Sequence, residues 1–82
     1  MTDQTEVRIF ERHLAGGSGY GLYYADVSTD DTVTLDNFDL IENAMIIHAK
    51  NSAVITFAKA TNVLTITGVI TSERVLIFAQ GA

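Results

Sequence analysis

The chain has no cysteine and no proline. The first absence excludes disulfides and thiolate zinc sites. The second means that no strand edge is protected by a missing backbone donor. Positive charge is also scarce, with five Lys and Arg against ten Asp and Glu and a net charge of −5. Such a balance argues against a nucleic-acid partner, whose phosphate backbone calls for clustered Lys and Arg. Charged residues make up 18% of the chain, below the usual share of about 25%. No apolar run approaches the roughly 18 residues of a membrane-spanning helix. The polar, acidic start Met1-Thr2-Asp3-Gln4-Thr5-Glu6 is unlike the basic start of a signal peptide. A protein made in the cytoplasm and kept out of membranes is expected.

What is present is apolar surface. Residues 43–82 contain four charged side chains, Lys50, Lys59, Glu73 and Arg74, and hydrophobic residues form 48% of the whole chain. A chain of 82 residues is one domain, and one this small buries only about 60% of its unfolded surface. With disulfides excluded, oligomerisation is the remaining way to stabilise it. Several apolar runs have no polar face when read as strands, so part of that surface is expected to face another subunit.

Thr, Val and Ile recur, and they suit a pleated sheet better than a helix. Turn residues fall between apolar runs at the 8–12 residue spacing of a sandwich or barrel. The pattern predicts an all-β fold, a small antiparallel β-sandwich or barrel of about seven strands. Residues 1–5 form a flexible N-terminal segment, and residues 6–82 a single β domain. The strands are expected at 6–14, 21–27, 32–35, 44–49, 53–58, 63–68 and 74–79. The polar loop Lys50-Asn51-Ser52 has a suitable length to close a hairpin, so the last four strands read as a four-stranded meander. Asp39 is a candidate cap for one helical turn within 36–42.

No residue cluster carries catalysis. His13 and His48 have no serine marked as a nucleophile beside them, and a triad needs nucleophile, base and orienting carboxylate together. The stretch Gly16-Gly17-Ser18-Gly19-Tyr20-Gly21 lacks the Lys and the following helix of a phosphate loop, and reads as a loop between strands. Residues 26–42 carry Asp26, Asp30, Asp31, Asp36, Asp39 and Glu42 with no basic residue. Their spacing does not match a calcium loop, and Asp30-Asp31 reads as a turn. No metal and no cofactor is predicted. Phe10, Tyr20, Tyr23 and Tyr24 make an aromatic cluster suited to packing or to a sugar, while nucleobase stacking lacks electrostatic support.

Four segments resemble small structural proteins of tailed viruses, mostly phages, including capsid decoration or cement proteins. They are Val33-Thr34-Leu35, Asn51-Ser52-Ala53-Val54-Ile55-Thr56-Phe57, Asn62-Val63-Leu64-Thr65-Ile66-Thr67-Gly68 and Val75-Leu76-Ile77-Phe78-Ala79-Gln80-Gly81. The resemblance implies a non-enzymatic virion protein on the capsid surface. It implies a homo-oligomer, with a trimer favoured, that stabilises the shell by binding the major capsid protein across capsomer joints. Ile47, Val54, Val69 and Ile70 are the candidate subunit contacts. Thr2, Asp3, Gln4, Thr5, Tyr20 and Tyr23 are the candidate shell contacts. The alternatives are a carbohydrate- or ligand-binding β module using the tyrosines and the acidic run, a tail or baseplate component, or a major shell subunit.

Overall fold

The alternation Thr32-Val33-Thr34 and Val63-Leu64-Thr65-Ile66 requires two environments, one dry and one wet, as side chains on a strand point alternately to opposite faces. The computed structural model of the protein, which describes residues 2–14 and 18–82, supplies both. Eight strands run in the order β1 (Asp3–Gln4), β2 (Val7–His13), β3 (Gly19–Val27), β4 (Thr32–Thr34), β5 (Ile41–His48), β6 (Phe57–Ala60), β7 (Val63–Ile66) and β8 (Glu73–Gly81). They form two four-stranded sheets, β1-β4-β7-β6 and β2-β3-β8-β5. All pairings are antiparallel except β1 with β4. The fold is a small all-β sandwich.

The core lies between the sheets. Val33, Leu64 and Ile66 enter it from the first sheet, and Tyr23, Ala25, Val27, Ile46, Val75, Ile77 and Ala79 from the second. Leu35, Phe38, Ile41, Ile55 and Ile70, from loops and strand ends, close it. Gly81 allows the close approach of β8 to the start of β5, because a Cβ there would overlap the Leu40 carbonyl.

The chain differs from the expected order in its second half. Residues 49–51 do turn, but the arms leave for different sheets, with β5 beside β8 and β6 beside β7. Only the bridge between Ile47 and Val54 joins them. A four-stranded meander is therefore absent, and only β6–β7 remains of it, reversed at Thr61-Asn62 with Thr61 at φ 57°. Ala53 and Ile55 make two backbone bonds to β5 before Phe57 turns inward to the opposite sheet. Residues 36–42 form no helical turn: Asp36 and Asn37 turn the chain, the Asp39 and Leu40 amides donate to the Ala82 carbonyl, and Ile41 and Glu42 begin β5.

Candidate functional site: the outer face of the β2-β3-β8-β5 sheet

In β3 and β8 the odd positions fill the core, so the even positions face outward. Those even positions are themselves apolar. Register places Phe10, Leu22, Phe78 and Met45 in one row across the four strands. The next row is Val7, Tyr24, Leu76 and Ile47. A third row, Arg12, Tyr20, Gln80 and Asn43, is polar apart from the tyrosine ring. Asp26 and Arg74 close the opposite end, joined by a 3.0 Å hydrogen bond from Arg74 Nε. The Arg74 guanidinium also lies 4.4 Å from the centre of the Tyr24 ring, a cation–π contact.

Phe10, Met45 and Phe78 remain 50%, 45% and 39% exposed within this face. Phe10 and Tyr20 lean together with ring centres 5.8 Å apart. Beside them an open groove of about 350 Å³ runs between Tyr20, Asn43, Met45, Phe78 and Gln80. Asn43 Nδ2 donates to Gln80 Oε1 at 3.1 Å, and Gln80 Nε2 to Glu42 Oε1 at 3.4 Å.

The polar groups elsewhere hold elements in place. Glu11 reaches inward from β2 and accepts hydrogen bonds from Tyr23 Oη at 2.5 Å and Asn37 Nδ2 at 2.8 Å, with His13 Nε2 at 3.2 Å. Burial pushes the Glu11 carboxyl up, but the bonds from Tyr23, Asn37 and His13 outweigh it and leave the pKa below its ordinary value. Burial, and then the bond to Glu11, push the Tyr23 phenol well above its usual range. Asp31 is buried and accepts from the Ser28 amide at 2.9 Å, the Thr2 amide at 3.2 Å and Gln4 Nε2 at 3.1 Å. The Ser28 amide is the main reason its pKa falls below the ordinary value. His48 Nδ1 lies 3.0 Å from Glu73 Oε2, close enough for an ion pair yet misaligned for a hydrogen bond. The Glu11, Asp31 and Glu73 carboxylates are thus occupied with positioning.

The predicted contact residues divide. Ile47 is half-buried in the apolar face, and Tyr20 is exposed at its border. Val54, beside β5, is 71% exposed, and Val69 is 93% exposed. Ile70 and Tyr23 are 5% and 2% exposed and belong to the core, so neither is available to a partner. Tyr23 sits at an odd position of β3, and Ile70 is drawn in where its amide and carbonyl bond Thr29. Asp3 and Gln4 are held in β1, Thr2 is bonded to Asp31, and Thr5 is exposed. Met1, Gly16 and Gly17, from the N-terminal segment and the glycine loop, lie outside the described residues.

The acidic run is dispersed rather than gathered. Asp26 pairs with Arg74, Asp30 takes φ 73° in a turn, and Asp31 clips the N-terminus. Among the described residues no three His, Asp or Glu side chains converge as metal ligands. Phe10, Leu22, Tyr24, Met45, Leu76 and Phe78 were not singled out as contacts from sequence. Their signal was apolar character at both parities of β3 and β8. Comparison with family models, curated proteins and solved structures finds no match to this chain.

Proposed function

We propose that this is a non-enzymatic structural protein whose work is association, and that it reinforces a viral shell. The observation that carries the reading is the pair of four-residue apolar rows on the outer face of the β2-β3-β8-β5 sheet. A sheet of a small monomer gains nothing in folding by displaying Val7, Phe10, Met45 and Phe78 to water, and contiguous exposed apolar surface marks contact sites. Four strands at about 4.8 Å spacing and nine residues at about 3.4 Å give a face of ~19 by 30 Å. Two such faces bury roughly 1,100 Å², the low end for a specific interface. One contact is therefore weak, and a symmetric oligomer that engages several sites at once gains strength through effective concentration. Decoration of a shell across capsomer joints, as the resemblance to cement proteins implies, uses that arithmetic.

The direct test is the variant Phe78→Glu, which places a charge in the middle of the apolar rows. Light scattering should give an oligomer for the wild type and a lighter species for the variant, with the melting temperature unchanged. Cosedimentation with isolated capsids of its own virus should show saturable binding, lost in the variant.

The groove beside Tyr20, with the Asn43 and Gln80 amides along one wall, favours a second reading as a carbohydrate-binding module. That reading requires a saturable rise in melting temperature with sugar and a monomeric protein.

A further inference from the structure

The four sheet edges are not equally guarded. β1 is two residues long, and β6 carries Lys59. The far half of β5 is covered by residues 53–55, with the Ile55 amide donating to the Ile46 carbonyl and the His48 amide to the Ala53 carbonyl, both at 2.8 Å. Shortness, a lysine and a covering segment are common ways of keeping an edge from pairing. Two stretches have no covering segment, Phe10 to His13 on β2 and Glu42 to Met45 on β5; their own irregularities are the register shifts after Arg8 and at Glu42, and the inward-pointing Glu11. The two stretches occupy opposite edges of the same sheet.

Their backbone directions match. The Leu14 amide donates to Ser18 across the β2–β3 ladder, so by alternation Arg12 and Phe10 also turn toward β3, while Glu11 and His13 turn outward. On β5, Ile46 and His48 turn away from β8 toward the covering segment, so Ala44 does the same. Three antiparallel steps separate β2 from β5. Placed side by side with the same face outward, β2 of one copy therefore runs antiparallel to β5 of the next.

Setting Glu11 opposite Ala44 joins two outward-pointing backbones, and both side chains face the sandwich interior. The same register puts Phe10 opposite Met45 on the outer face. It puts Arg12 opposite Asn43 and beside Glu42, and brings Leu14, just past β2, to the level of Ile41, the residue after Leu40. Phe10, Met45, Leu14 and Leu40 are all large hydrophobics left 45–50% exposed in the single chain. Among the described residues neither Arg12 nor Glu42 has an ion-pair partner. The register of β2 shifts between Arg8 and Phe10, and in this alignment that shift falls where residues 53–55 begin to occupy β5.

We infer that copies of this chain join head to tail, β2 of one adding to the open half of β5 of the next. The inference rests on the reading that the protein works by association, and it names the edges that associate. Such a contact is heterologous, so it closes into a ring if the rotation per copy allows and otherwise grows as a filament. The row of Phe10, Leu22, Phe78 and Met45 then runs on from copy to copy, while the row ending at Ile47 stops at residues 53–55; the edge contact thus lengthens the apolar face through which the protein associates.

The test is the double variant Phe10→Cys with Met45→Cys, in a chain that has no other cysteine. Within one molecule these positions are three strand spacings apart, about 14 Å, too far for a disulfide. Between copies they form a non-hydrogen-bonded pair, whose close side chains suit one. Mild oxidation should give a covalent ladder of dimers, trimers and larger species, or a single closed ring. Phe10→Cys alone should give no ladder. Arg12→Glu should abolish assembly at a concentration where the wild type assembles, and Arg12→Glu with Glu42→Arg should restore it. A double-cysteine protein that stays unlinked would overturn the inference, as would Phe10→Cys alone dimerising as readily. An oligomer by light scattering without the ladder removes this pairing and leaves the association reading intact. A monomer at every concentration removes both.

Discussion

The two sheets share one core but present opposite outer faces. On the β1-β4-β7-β6 sheet the outward positions are Thr32, Thr34, Val63, Thr65, Ala58 and Ala60, all small and half of them hydroxylated. Thr32 and Thr34 each donate to Asp3 across the β1–β4 edge. On the β2-β3-β8-β5 sheet the middle of the outer face is Phe10, Leu22, Tyr24, Met45, Ile47, Leu76 and Phe78, with polar residues at its two ends. One sandwich face thus shows what a wet surface of this fold requires, and the other departs from it. Antiparallel sheets commonly alternate apolar and polar side chains when one face is solvated. That departure is the observation on which the proposed association rests.

The comparison is broken most severely through the core, which both sheets need. Ile77→Ala, at a fully buried position, should cost about 2–5 kcal/mol by leaving a cavity, measured by chemical denaturation of dilute protein. Gly81→Ala belongs with it, since the new methyl meets the Leu40 backbone rather than a movable side chain. Phe78→Ala, one residue from Ile77 but facing outward, should leave the stability of dilute protein within about 1 kcal/mol and weaken self-association. An equal loss from Ile77→Ala and Phe78→Ala in dilute monomer would erase the distinction between the faces.

Asp31 sharpens the contrast from the other side, because it ties the β1 edge of the polar-faced sheet to the turn after β3 and lies away from the apolar rows. Asp31→Asn should cost about 1–3 kcal/mol, the range for a disrupted buried polar group, and leave assembly unchanged. Its pH dependence has a definite sign. The folded-state pKa of Asp31 lies below the ordinary value of 3.8, so its contribution is fully present above that value. It is lost as pH falls through the lower, folded-state pKa. Melting curves of wild type and Asp31→Asn should converge as acid is added below pH 3.8. Glu11, also depressed, weakens the wild type in the same direction, whereas Glu6, raised by burial, opposes it. The smallest effect should come from Thr65→Val on the polar-faced sheet, within about 0.5 kcal/mol and without influence on the oligomer.

Where the chain alternates, sequence and structure agree. Thr32-Val33-Thr34 and Val63-Leu64-Thr65-Ile66 became β4 and β7 with Val33, Leu64 and Ile66 inside. Runs that are apolar at both parities were legible as strands and as surplus hydrophobic surface, yet period-2 alternation assigns no face when both faces are apolar. Tyr23 and Ile70, candidate contacts on the sequence pattern, lie in the core, while Phe78 and Met45 face outward. The failure at residues 44–58 has another cause. A three-residue polar loop specifies a reversal, but not whether the returning strand stays in the same sheet. Ser52 takes φ 62°, and the chain moves on to the opposite sheet after Ile55. Long-range pairings such as Ile41 with Gly81 depend on the whole core and leave no local mark.

The central claim is that the outer face of the β2-β3-β8-β5 sheet exists for association. Its most direct test is the mass of the purified protein by size-exclusion chromatography with light scattering, across a hundredfold range of concentration. A discrete oligomer that dissociates on dilution, and that Phe78→Glu reduces to monomer without lowering the melting temperature, is the predicted result. A wild type that remains monomeric at the highest concentration would contradict the account.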